Sequence, residues 1–204
     1  MRSSYPKAYA YLAANRVQLN ERNLAADQRA KAFYIFGRPQ AIGYAALAPK
    51  IFYSNNQRGD KYALDTTGVV YSSGGTGGEV ALFARDLGYS LDFVLALLDQ
   101  APIEFFLRKR GSVFRGGYYS RGTDVIGETP VPQLDFTVAT EKKFHDDVST
   151  KMASLRTLHM KRPTIPERRM RKHCNDIDAG RDSIRDLFLQ RWGLKVADIT
   201  ALGL

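Results

Sequence analysis

Apolar positions along this 204-residue chain change period twice, and each change predicts a change of element. Over residues 5–27, Tyr5, Tyr9, Leu12, Ala13 and Leu19 recur at helical spacing, with Ser4 placed to cap the helix and Pro6 in its first turn. From 32 to 90 the pattern breaks into short apolar and β-branched runs, AFYIF, KIFY, GVVYS and EVALFA, separated by NNQRGD, DTTG and SSGGTGG. That alternation predicts a small, mostly antiparallel sheet with tight turns. SLDFVLALLDQ, residues 90–100, reads as a compact helix capped by Ser90, and Pro102 opens a second, APIEFFLRKR. GETPVPQLD, 127–135, should be extended, because prolines disfavour the helical region for the residues before them. Beyond it Phe144, Val148, Met152, Leu155 and Leu158 form a helical stripe, which Pro163 and Pro166 interrupt. A second long helix over 167–192 turns Ile177, Ile184, Leu187 and Phe188 inward, Gly193 caps it, and RWGLKVADI leads into a last short helix. The predicted class is α+β, a small mostly antiparallel sheet with flanking helices followed by a C-terminal antiparallel helical hairpin. The expected segments are 1–28, 29–136 and 137–204.

Composition narrows the partner. The chain carries 30 Lys and Arg against 21 Asp and Glu, a net charge of +9, and such an excess points to a polyanion, most commonly nucleic acid. Cys174 is the only cysteine, which rules out an internal disulfide framework and fits a reducing cytoplasm. The chain has no run of about 18 apolar residues and no apolar core in MRSSYPKAYAYL, so nothing points to a membrane.

Catalytic sets are not visible. SSGGTGGEV has the glycines of a phosphate loop without its Gly-Lys-Ser/Thr, and it precedes a strand-like run, so it reads as a turn. No Gly-x-Gly-x-x-Gly follows a strand. His145-Asp146-Asp147 resembles half of a metal-phosphohydrolase motif, but with only His159 and His173 besides it reads as a solvated helix face. Asp135, Glu141 and Lys143 faintly echo the acidic and lysine pattern of metal-dependent nucleases, at a short spacing.

The stretch RKRGSVFRGGYYSRG, 108–122, does suggest binding. Glycines let a backbone approach a phosphodiester chain, guanidiniums pair with phosphates or guanine edges, and tyrosines stack. Arg108, Lys109, Arg110, Arg115, Tyr118, Tyr119 and Arg121 are the expected nucleic-acid contacts, with Arg38 and Lys50 as flanking phosphate ligands. Phe105, Phe106 and Phe114 are expected to be structural. A solvated loop on a basic protein is the competing reading. RTLHMKRPTIPERRMRKHC, 156–174, forms a second basic cluster around the two prolines, either a phosphate clamp or a solvated helix tip.

Six segments in order resemble a known family. They are YPKAYAYLAANRVQLNER, FGRPQ with APKIFYS, ALDTTGVVYSSGG, LDFVLALLDQAPIEFFLR, TPVPQLD and LFLQRWGLKVADI. Together they are similar to a linker helix, a Gly-Arg-Pro and Pro-Lys-Ile pair, an Asp-x-x-Gly-x-Tyr strand, a Leu-x-x-Leu-Leu-Asn-Ser helix pair, a Leu-Pro-Ile-Pro segment and a closing Tyr-Gly-Leu. That order is the order of the TaqI-like C-terminal specificity domain of type II and type IIG DNA adenine methyltransferases. The resemblance spans about residues 5 to 202. Asp99-Gln100, Trp192 and Thr129-Pro130-Val131-Pro132 depart from it without removing a functional group.

The resemblance implies a non-catalytic module, 29–136 being its target-recognition core, that reads double-stranded DNA. An N-terminal domain of the same parent chain would carry the Asn-Pro-Pro-Tyr motif, absent here, and S-adenosylmethionine, and would flip the adenine. On this expectation the chain is an excised domain or a natural fragment. Two rivals differ in class: the nuclease above, and a separate specificity subunit that docks a partner through its long helices.

Overall fold

The structure, a computed structural model, describes residues 1–24, 26–35, 48–57, 62–69, 79–83 and 88–203. The chain divides into two compact units, Met1–Gly43 and Tyr44–Leu204.

In the first unit the expected long helix is broken. Helix α1 runs Pro6–Ala14, α2 Arg16–Asn20 and α3 Ala26–Lys31. Ser4 does not cap it; Tyr5 holds the N-cap position without a side-chain bond, and Pro6 follows. The break falls at Asn15, whose side-chain amide donates to the Tyr11 carbonyl at 2.8 Å and so competes with the helical ladder. Tyr9, Phe33 and Tyr34 meet edge-on with centroids 5.1–6.1 Å apart, and Arg22 donates to the Phe33 carbonyl at 2.8 Å.

The second unit is α+β, as the alternation predicts. Strands β1 (Lys50–Ser54), β3 (Tyr62–Asp65) and β4 (Glu79–Phe83) form one antiparallel sheet in the order β3-β1-β4. Ile51 and Tyr53 of its central strand are buried on the core side. Helix α4 (Leu91–Leu98) lies against β1 and β3 and is buried along most of its surface, which explains why its sequence is apolar all round. Ser90 caps it as expected, its hydroxyl accepting from the Phe93 amide at 3.0 Å. Helix α5 (Ala101–Arg110) follows, then a ribbon of β2 (Asn56–Gln57), β6 (Tyr118–Ser120) and β5 (Val113–Phe114), and the short α6 (Thr123–Gly127). Residues 128–135 are non-helical, and Tyr89 pins them, donating to the Pro132 carbonyl at 2.7 Å and accepting from the Leu134 amide at 3.0 Å.

Helices α7 (Ala139–Lys161) and α8 (Glu167–Trp192) form the C-terminal hairpin, joined by a 3-10 turn at Arg162–Thr164. Val148, Met152 and Leu155 of the predicted stripe are buried against α4 and α8, with Phe144 and Leu158 packed at its ends. That stripe therefore offers no free apolar face for a partner helix. Glu141 and Arg191 tie the far ends of the hairpin together through two hydrogen bonds of 2.7 and 3.0 Å. Gly193 ends α8 in the left-handed conformation, and α9 (Val196–Thr200) closes the chain.

Candidate nucleic-acid interface

Within 108–122 a hairpin carries Phe114, Arg115 and Tyr118, all exposed. β5 and β6 pair antiparallel, with Val113 opposite Tyr119 and Phe114 opposite Tyr118. Arg115-Gly116-Gly117 turns between them, and both glycines have φ near +80° (+85° and +78°), a conformation that a side chain would strain. The base of the hairpin meets the end of α5 so closely that a Cβ at Gly111 would lie 2.1 Å from the Ser120 carbonyl oxygen. Only glycine lets helix and ribbon join there.

Exposure sorts the expected contacts. Arg115 is exposed at the turn with no side-chain partner among the described residues. Tyr118 and Phe114, opposite one another, are 44% and 41% exposed, and Val113 is 71% exposed. The expectation that Phe114 is a core residue fails, because the ribbon has too little packed against it to bury that face. Arg108 bonds Glu104 at 2.6 Å and lies over the Tyr119 ring at 5.4 Å, so both are half-buried. Lys109 is exposed over Phe105, and Arg110 pairs with Glu128, both half in solvent.

Two expected ligands face inward instead. The Arg121 side chain is 0% exposed; its guanidinium binds Glu104 and donates to the Tyr62 hydroxyl at 2.6 Å. Burial pulls its pKa down, but Tyr62 and Glu104 outweigh this and hold it above the ordinary value. Lys50 is likewise 0% exposed, bonded at 2.9 Å to Asp65, directly across the β1–β3 ladder. Neither can reach a phosphate from these positions. Arg38 lies outside the described residues.

The Lys50–Asp65 pair gives two sequence motifs one physical cause. Asp65 also accepts from the Thr67 hydroxyl at 2.7 Å and from the Thr67 and Val69 amides at 2.8 Å each, with Gly68 left-handed between them. The Pro-Lys-Ile and Asp-x-x-Gly segments thus meet in one closed turn. The Thr67 hydroxyl and then the Lys50 ammonium hold the Asp65 carboxyl far below the usual carboxylate range. A depressed folded-state pKa means that unfolded chains take up the proton first as pH falls. The stability that Asp65 contributes is therefore complete above the ordinary carboxylate pKa of about 4 and drains away below it. Asp65→Asn should be less stable than the parent at about pH 6, and the gap should begin to narrow as pH falls from about 4 towards about 3 in paired urea melts. A gap that stays constant across that range would show that the pair is not stabilising.

The acidic candidates are engaged elsewhere. His145, expected on a solvated face, is 7% exposed and stacked on Phe93 with centroids 5.1 Å apart. Its Nε2 accepts the Ser90 amide at 3.0 Å, which leaves Nδ1 to carry the proton and face Asp146 at 3.0 Å. Asp146 and Asp147 pair with Lys142 and Lys143 one helical turn earlier. Asp135 closes a local turn on Thr137, and Glu141 holds Arg191. Asp135, Glu141 and Lys143 thus each have a structural partner. Among the described residues no group of three His, Cys, Asp or Glu side chains is placed to hold a metal ion, and no helix is long and apolar enough to cross a membrane.

No family model matches the chain. It is 31% identical over 163 residues to the type II restriction enzyme and methyltransferase RM.Eco57I of Escherichia coli. The match takes in 78% of this chain and 16% of that protein, so the chain spans about a sixth of its relative's length. Over most of its residues, this chain is related to one segment of a restriction–modification enzyme.

Proposed function

We propose that this chain is the target-recognition module of a restriction–modification adenine methyltransferase, and that the β5–β6 ribbon is the element that reads duplex DNA. The observation that carries this is the ribbon's tip: Arg115, without an acidic partner among the described residues, between two exposed aromatics on a glycine turn, in a chain related to a type II restriction enzyme and methyltransferase. A two-stranded ribbon fits the major groove, where a guanidinium can take guanine O6 and N7 together. Phe114 and Tyr118 supply flat apolar surface against sugars or thymine methyls. Lys109, Arg110 and Arg108 at the end of α5 would meet flanking phosphates. On this reading the module is non-catalytic and cytoplasmic. Methyl transfer belongs to an N-terminal domain of the parent chain, which would also hold S-adenosylmethionine.

The test begins with selection of bound duplexes from a random pool. For the selected duplex, Arg115→Ala should lower affinity by about 5- to 150-fold, the worth of one bidentate base contact of about 1–3 kcal/mol, with the melting midpoint unchanged. If the variant binds the selected and scrambled duplexes as the parent does, the ribbon is not the reader.

A further inference from the structure

We propose that the tip of the α7–α8 hairpin is a second DNA-binding site, a sequence-independent clamp for backbone phosphates. Along the shafts of the two helices most cations have a carboxylate: Lys142, Lys143, Arg156, Lys172, Arg185 and Arg191 are all ion-paired. At the tip this stops. Lys161, Arg162, Arg168, Arg169 and Arg171 are all exposed, and none has an acidic partner among the described residues. Glu167 is the one acid between residues 161 and 171, so five cations stand against a single carboxylate.

Their placement argues against a merely solubilising role. Arg168, Arg169 and Arg171 occupy the first turns of α8, whose N-terminal dipole repels positive charge. Cations spread for solubility are better tolerated at a helix C-terminus, whereas these three are stabilised there only by an anion. The field is felt nearby: burial first, and then Arg181, Arg162 and His173, hold the His159 pKa below its ordinary value. A phosphodiester chain fits this array better than a discrete small anion, because the cations are distributed over two helix ends and a turn rather than converging on one point.

The last turn of α7, just before the tip, lies near the strand that anchors the ribbon's base. His159, Met160 and Arg181 share the lining of one cavity of about 290 Å3 with Tyr62 and Leu64 of β3. Tyr62 in turn accepts the hydrogen bond of Arg121, the residue directly after β6. The clamp rests on the tip's charge and not on base reading by the ribbon, so the two fail separately.

The experiment compares the full chain with a variant carrying Lys161→Gln, Arg162→Gln, Arg168→Gln, Arg169→Gln and Arg171→Gln, on a duplex of scrambled sequence over a salt series. Each phosphate that the variant no longer neutralises should lower the magnitude of the slope of log affinity against log salt by about 0.9, giving a drop of about 2.7 to 4.5 if between three and five of these side chains engage. Lys142→Gln with Lys143→Gln, on the shaft, should leave the slope unchanged. An unaltered slope in the five-site variant, with a melting midpoint like the parent's, would overturn the clamp. So would polyglutamate competing as well as scrambled duplex at equal charge, which would make the tip a site for acidic protein.

Discussion

Arg121→Ala should unfold the second unit more readily rather than weaken DNA binding directly, losing about 3–5 kcal/mol of stability, as removal of one partner from a buried ion pair does. The guanidinium is fully buried, and truncation strands Glu104, 7% exposed, which among the described residues retains only Arg108. It also removes the bond that ties the end of β6 to Tyr62 on β3, so ribbon and sheet lose their shared anchor. Against a typical total of about 5–15 kcal/mol, this is a large fraction. Arg121→Met combined with Glu104→Leu should recover much of the loss, since an apolar pair leaves no uncompensated charge. Urea melts of both single variants and the double variant give the coupling energy. An Arg121→Ala midpoint equal to the parent's would mean that the pair contributes nothing to the fold.

Phe93→Ala is expected to have a comparable effect, about 3–5 kcal/mol, from reduced burial and the cavity left behind. Phe93 is 0% exposed, and its ring meets those of Tyr89, Phe144, His145 and Phe188 with centroids 5.1–5.8 Å apart. Those neighbours come from the loop before α4 and from both helices of the hairpin, so a single truncation loosens three elements at once. Phe93→Leu, which keeps most of the volume, should cost much less. The check is the urea midpoint at unchanged transition slope; a loss below about 1 kcal/mol for the alanine variant would show that the cluster collapses around the gap. Because His145 accepts the Ser90 amide, the start of α4 should fray first, and hydrogen exchange at Ser90 would report it.

Helix boundaries in the second unit were legible because their determinants are local. Ser90, Pro102, Pro166 and Gly193 each act within one turn, and the stripe from Phe144 to Leu158 needs only a 3.6-residue period to find its face. The N-terminal helix was overextended because period alone does not register a side chain such as Asn15 competing for its own backbone. Helix α6 went unanticipated, since five residues between a glycine and a proline segment carry too little pattern to announce it.

The destination of each charge was not legible in this way. Lys50, Arg115 and Arg121 look alike along the chain, each beside aromatic or β-prone residues in a basic protein. What separates them is a partner 15 or 17 residues away: Asp65 for Lys50, Glu104 for Arg121, and none among the described residues for Arg115. His145 followed the same logic, its polar neighbours suggesting solvent while an aromatic cluster from distant segments enclosed it. Helices, turns and the excess of positive charge follow from short stretches of the chain, because propensity, period and composition are local properties. Which cations are neutralised inside, and which still face outward for a polyanion, depends on the folded arrangement, because an ion pair is settled by distances between residues far apart in the chain.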